Sequence, residues 1–233
     1  MTKFDALLEQ LETEGLLEGV NRYNPDNVKF LNDLVVVQVE ENRYHVEANL
    51  TVLKLYQLNP DKFDIETVRK ILLKSLMALP SSDFVLTKCL LELPKKDPNA
   101  DVEDVVLHRE PKIHDVLLLG DMIEACDFAA MWQYLNENPV LIDGITGFEA
   151  AVRRFICHTV NITFQNIDKS LLVSLLGNIS ERGLVEYVNE YKWRMDGETV
   201  FIQNHEATVK SKNIEEKIEF SHIKDILRTE GRA

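Results

Sequence analysis

At 233 residues, with 45% hydrophobic and 28% charged side chains, the chain has apolar material for one large domain or two small ones, which excludes wholesale disorder. Nine glycines and seven prolines are too few for a collagenous or turn-dense all-β chain, and no apolar run is long enough to span a bilayer. The net charge of −13 sits almost wholly in residues 1–143, with 14 basic against 26 acidic side chains, so strong direct nucleic-acid binding is not expected.

The first residues alternate apolar and acidic side chains, unlike a secretory leader. Phe4, Leu7, Leu8 and Leu11 form one stripe at helical spacing. A second helix follows Asn24-Pro25-Asp26, with Val28, Leu31, Leu34 and Val35 inward. The third, over 47–56, is apolar on two faces: Ala48, Val52, Leu55 and Tyr56 on one, Val46, Leu50 and Leu53 on the other. Such a helix is expected between neighbours. Asp64 can cap a fourth helix ending before Pro80, and Ser81 or Ser82 opens a fifth containing Phe84, Leu90 and Leu91.

Residues 94–112 carry three prolines and dense charge of both signs, and read as an exposed loop with at most one helical turn at 105–107. Helix resumes at Ile113, and again after Asp127 with Phe128, Met131, Trp132 and Leu135. Helix pairs spaced in this way suggest a stacked array of the HEAT or tetratricopeptide type. No tetratricopeptide consensus recurs, so an irregular helical bundle stays open.

The pattern changes near residue 144. Thr146-Gly147-Phe148-Glu149 has the spacing of a capping box and opens a helix carrying Val152, Phe155, Ile156 and Val160. A short β-like stretch over 162–167 follows. Asp168 then caps a helix stopping at Gly177, and Ser180 caps another with Leu184, Val185, Val188 and Tyr191. Residues 193–195 and 199–202 flank Asp196-Gly197, a hairpin signal. Helix, strand, helix, helix, hairpin is the order of a winged helix. The expected fold is therefore mainly α: a HEAT-like helical-repeat domain over 1–143, a winged-helix domain over 144–222, and a C-terminal tail or short docking helix over 223–233.

Candidate chemistry is sparse. The chain has no phosphate loop, nucleophile elbow, HExxH or CxxC. Cys157 and His158 are adjacent on a helix and diverge by about 100°, so they make a poor nucleophile–base pair. His108 and His114 lack a placed third zinc ligand. Gly144-Ile-Thr-Gly147 matches a bare GxxG without basic flanks. No catalytic residue, cofactor or metal is expected. Cys89, Cys126 and Cys157 lie in apolar stretches and read as buried, reduced thiols, which suits the cytoplasm and equally a nuclear pool. In a DNA-reading winged helix the second helix carries basic or amide side chains; here it has Glu181, Glu186 and Glu190 against Arg182. The domain reads instead as a protein-docking module.

Trp193 and Phe201, on or beside the hairpin, are candidate partner-docking side chains. So are Ile223, Ile226 and Leu227, which fall at i, i+3 and i+4 after a possible cap at Ser221. About ten residues make a marginal helix alone in water, so that stripe needs a surface.

Several blocks carry a resemblance: Arg22-Tyr23-Asn24-Pro25, Glu47-Ala48-Asn49-Leu50, Val52-Leu53-Lys54-Leu55-Tyr56-Gln57, Leu119-Gly120-Asp121, Trp132, GITGFEAAVRRFICHTVNITFQNID over 144–168, and Lys212-Asn213-Ile214-Glu215-Glu216-Lys217-Ile218. From about residue 15 to residue 220 the chain resembles the k-subunit family of eukaryotic translation initiation factor 3. The resemblance implies a HEAT-like domain followed by a winged helix related to PCI modules. It implies non-catalytic membership of the factor that binds the small ribosomal subunit, with the l-type subunit as nearest partner. The acidic N-terminal extension and the long 94–112 loop depart from that pattern. The alternative is a scaffold subunit of another PCI-type assembly, proteasome-lid-like or signalosome-like.

Overall fold

Residues 2–91 and 110–202 are described by a computed structural model. The first helix, α1 (Lys3–Thr13), opens on a capping box: the Thr2 hydroxyl accepts from the Asp5 amide, and the Thr2 amide donates to the Asp5 carboxylate at 3.0 Å. Those bonds hold the Asp5 carboxyl below its usual range. Glu41, just past α2 (Val28–Glu40), adds a carboxylate that accepts from the Lys3 and Phe4 amides, where the helix dipole favours negative charge.

Helices α2 and α3 (Val46–Leu58) pack through a fully paired amide couple. Gln38 Nε2 donates to Asn49 Oδ1 at 2.8 Å, Asn49 Nδ2 donates back at 3.1 Å, and the His45 amide donates to the same Gln38 oxygen. Both side chains are buried, so this mutual pairing removes the penalty of two unsatisfied amides. The expected sandwiching of α3 holds on the face of Ala48, Val52 and Leu55 and at Leu53, while Leu50 stays half-buried.

Helix α4 (Ile65–Met77) is capped by Asp64, whose carboxylate accepts from the Glu66 and Thr67 amides. It packs against α2, α3, α5 (Asp83–Leu91), α6 (Pro111–Glu124) and α8 (Phe148–Thr163). Helix α6 starts at Pro111, two residues before Ile113, because proline at the first helical position gives up an amide that would be unpaired there anyway. Gly120 allows α6 to approach α5: a Cβ there would lie 2.2 Å from the Phe84 ring. Asp127 caps α7 (Phe128–Glu137) through the Ala130 amide, and a 3₁₀ turn, Pro139–Ile142, follows.

The capping box expected at 146–149 is absent. Gly147 is the N-cap of α8 at φ +80°, a left-handed conformation that glycine adopts at no steric cost, and no side chain caps the helix. Glu149 binds Arg153 instead. The helix also runs to Thr163, through residues expected to be extended, and β1 is only Asn166–Asp168. The β-branched Thr159 and Thr163 stay helical with their hydroxyls bonded back to the Phe155 and Thr159 carbonyls.

After β1 come α9 (Lys169–Leu175), α10 (Glu181–Glu190), β2 (Arg194–Asp196) and β3 (Thr199–Phe201), in an antiparallel sheet ordered β1-β3-β2. Asp168 occupies the N-cap position of α9 without a side-chain bond, whereas Ser180 caps α10 through the Gly183 amide. The hairpin turn is Gly197-Glu198, not Asp196-Gly197, since Asp196 pairs with Thr199. Of the three cysteines only Cys157 is buried; Cys89 and Cys126 are exposed, because each occupies the solvent side of its helix end. Residues 94–109 of the expected loop, His108, and Ile223, Ile226 and Leu227 lie outside the described residues. The described chain is mainly helical, and residues 2–91 and 110–202 pack as one unit.

Two outcomes are expected. Gly120→Ala forces the Phe84 ring aside and should cost about 1–3 kcal/mol, lowering the melting temperature by roughly 3–10 °C. The second concerns Lys74, buried on α4 with Nζ donating to Asn42 Oδ1 at 2.9 Å and no carboxylate partner among the described residues. Burial pushes its pKa down to about 8. Between there and about 10.4, the value for an unfolded chain, the unfolded state holds a proton the native state has released, so rising pH favours folding. Denaturant melts of the wild type and Lys74→Met should show the wild type gaining relative stability across that window and not below it.

Candidate interaction surfaces

Period-two alternation decides what the small sheet hides. Val200 is fully buried between Ile167 and Met195 in the register, while Phe201 is half-buried on the opposite face beside Asn166 and Arg194. The Arg194 guanidinium lies 4.9 Å from the Phe201 ring centroid. Ile202 turns inward again, and its amide donates to the Gln165 carbonyl. Trp193 is only 7% exposed: its ring packs on Tyr191 at 5.2 Å, and Nε1 donates to Asn161 Oδ1 at 3.1 Å. Trp193 therefore fastens the hairpin to α8, and of the two wing residues Phe201 keeps the outward surface.

The position of this end of the molecule is set by a cluster on α7, α8 and α9. Gly177, at φ +80°, ends α9 in a Schellman turn, with the Gly177 and Asn178 amides on the Ser174 and Val173 carbonyls. The neighbouring carbonyls are taken by side chains from elsewhere: Trp132 Nε1 donates to Leu175 O at 2.8 Å, and Arg153 Nε donates to Leu176 O at 3.0 Å. The Arg153 guanidinium also stands 5.0 Å from the Trp132 ring and binds Glu149. A Cβ on Gly177 would approach the indole to 2.8 Å, so glycine meets both the turn and the packing requirement.

Burial, then the Glu190 carboxylate, push the Cys157 thiol up to about 12, which keeps it protonated, and His158 points to solvent. No group of three or more His, Cys, Asp or Glu among the described residues could hold a metal ion. His114 stands exposed on α6. On α10, Arg182 already faces Glu186 at 3.7 Å and Glu181 pairs with Lys169, leaving that helix a predominantly acidic outer side. No helix among the described residues is long and apolar enough to cross a membrane.

The model of the CSN8/PSMD8/EIF3K family matches residues 62–213. The chain belongs to that family. The match spans every helix and strand from α4 to β3. Relatives called eukaryotic translation initiation factor 3 subunit K are similar along nearly the whole length. The Xenopus tropicalis protein is 44% identical over 229 residues, 97% of this chain and 98% of the relative. The Homo sapiens protein is 43% identical over 225 residues, covering 95% and 98%. The Caenorhabditis briggsae protein is 40% identical over 237 residues, covering 94% of each.

Within the CSN8/PSMD8/EIF3K match, the α7–α8–α9 cluster was not readable in advance. Trp132 shows in the sequence as a member of an apolar stripe and Arg153 as a charge beside Arg154, and although both fall among the residues that carry the resemblance, nothing local names their partners. Their targets, the Leu175 carbonyl for Trp132 and the Leu176 carbonyl for Arg153, lie 43 and 23 residues away. Gly177 after an apolar helix was the one local signal.

Arg153→Met keeps the aliphatic stem but leaves the Leu176 carbonyl unpaired and removes the cation from the indole. It should cost about 1–2 kcal/mol. Hydrogen exchange should quicken over 172–178 while α2–α4 keep their protection.

Proposed function

We propose that the chain is a non-catalytic structural subunit of eukaryotic translation initiation factor 3, acting through protein–protein contacts in the complex that binds the small ribosomal subunit. Identity of 43–44% over 95–97% of the chain to proteins named as subunit K carries this reading. The other subunits of the factor are its partners, an l-type subunit the nearest, and its place of work is the cytoplasm. The architecture is a HEAT-like helical domain over 1–143, a winged helix over 144–222 and a docking tail over 223–233. The run α8-β1-α9-α10-β2-β3 and the strand order β1-β3-β2 support the winged helix. The acidic α10 and the net charge of −13 support a protein-facing use of it over direct nucleic-acid binding. Phe201 on the wing and Ile223, Ile226 and Leu227 in the tail are the proposed docking side chains, and Trp193 supports the wing from within.

Affinity isolation of the tagged full chain from cells tests the assignment: initiation-factor-3 subunits should come with it, the l-type subunit holding longest as salt is raised. Recovery of proteasome-lid or signalosome subunits in their place would overturn it. Truncation after Phe220 should leave the melting temperature unchanged and weaken association with the l-type subunit. Unaltered association would remove the tail from the contact.

A further inference from the structure

The 3₁₀ turn Pro139–Ile142 is clamped from behind. Arg69 on α4 donates from Nη1 to the Leu141 carbonyl at 2.9 Å and from Nη2 to the Asp143 carbonyl at 3.4 Å, and its Nε is held by Glu66 at 3.0 Å. Leu141 is buried and Pro139 restricts the backbone, so the turn has one orientation. Val140 is thereby pushed out, 79% exposed. An exposed valine on a loose loop needs no explanation. On a turn fixed by a guanidinium it is a rigid apolar point, the kind of preorganised contact that binds at low entropic cost.

Val140 borders an open groove of about 440 Å³ between α4, α6 and the end of α7. Charge decides what fits there. The two cations of the groove, Arg69 and Lys112, both engage Glu66. Asp115, Glu137 and Asp143 have no cation partner among the described residues: Asp115 is bonded by the Tyr134 hydroxyl, and Glu137 by the Gln133 amide. Four carboxylates against two cations leave the groove with an excess of negative charge, carried by Asp115, Glu137 and Asp143 around the fixed apolar point, and that balance repels phosphate and favours Lys and Arg.

We propose that this groove docks a basic segment of a partner protein, which lays a large apolar side chain on Val140 and reaches Asp115, Glu137 and Asp143 with flanking cations. The proposal draws on the scaffold reading only for where the partner is found, a neighbouring subunit of the assembly.

The test places a photo-cross-linking residue in the groove, Val140→p-benzoylphenylalanine, in the full chain assembled in cells, followed by irradiation, isolation and mass spectrometry of the cross-linked peptide. The expected product joins position 140 to a segment of another subunit in which basic residues outnumber acidic ones. Adding Glu137→Lys and Asp143→Lys should cut the yield about tenfold or more, with melting temperature and recovery of the other subunits unchanged. A cross-link to an acidic or neutral segment, to RNA, to a second copy or within this chain would overturn the proposal. So would no cross-link, or a yield indifferent to the two lysines. Isolation without any initiation-factor subunit would contradict the scaffold reading, while the peptide joined to position 140 would still decide the groove.

Discussion

Helix α4 is enclosed, and the rest of the described chain is arranged by that enclosure. Residues 71–76 are buried without a break and Thr67 is buried with them, so the polar groups at these positions cannot turn to water. Each therefore has a partner inside the protein. The Thr67 hydroxyl donates to Asp64, the Ser75 hydroxyl to the Leu72 carbonyl, and the Lys74 ammonium to Asn42. The last bond reaches furthest. Asn42 closes the turn between α2 and α3 at φ +49°, a conformation asparagine tolerates better than most residues, and its amide lies against Gly147 at the start of α8. A single ammonium thus ties α4 to the turn between α2 and α3, and that turn to the entry of α8. Desolvation makes it an uneasy cation, which explains both its depressed pKa and the need for a fixed acceptor.

From α8 onward a second cluster takes over. The indole of Trp132 and the guanidinium of Arg153 satisfy carbonyls that the end of α9 leaves open, and helix ends without such partners are unstable when buried. The sheet adds little cohesion of its own, with three residues per strand. Val200 and Trp193 anchor it against the helices. Of its two edge strands, β2 is short, exposed at all three residues and carries Arg194 and Asp196, a composition that discourages edge-to-edge aggregation.

The perturbed titrating groups include single buried positions and one close set, Cys157 with Tyr187 and Tyr191. Lys74 on α4, Tyr56 on α3, Tyr44 before it and Cys157 on α8 are all shifted first by burial.

The amino-acid sequence by itself determined the type and order of the elements. Apolar side chains at helical spacing marked the helices, Asp64, Asp127 and Ser180 marked three of their starts, and Gly177 and Gly197 marked a helix end and a hairpin. These are local signals, because a helix bond, a cap or a two-residue turn joins residues only a few positions apart. The tertiary structure decided what such spacing cannot carry. Thr146 and Glu149 have the spacing of a capping box, yet the left-handed Gly147 opens α8 and Glu149 serves Arg153. Cys89 and Cys126 stand in apolar stretches yet face solvent, and Lys74 carries a charge yet is buried. Val140 has the apolar neighbours Leu141 and Ile142 in sequence, yet Arg69, 71 residues earlier, fixes its turn so that it points outward. Burial depends on which distant segments close over a residue, and the contacts that decide it join parts of the chain that the sequence pattern treats separately.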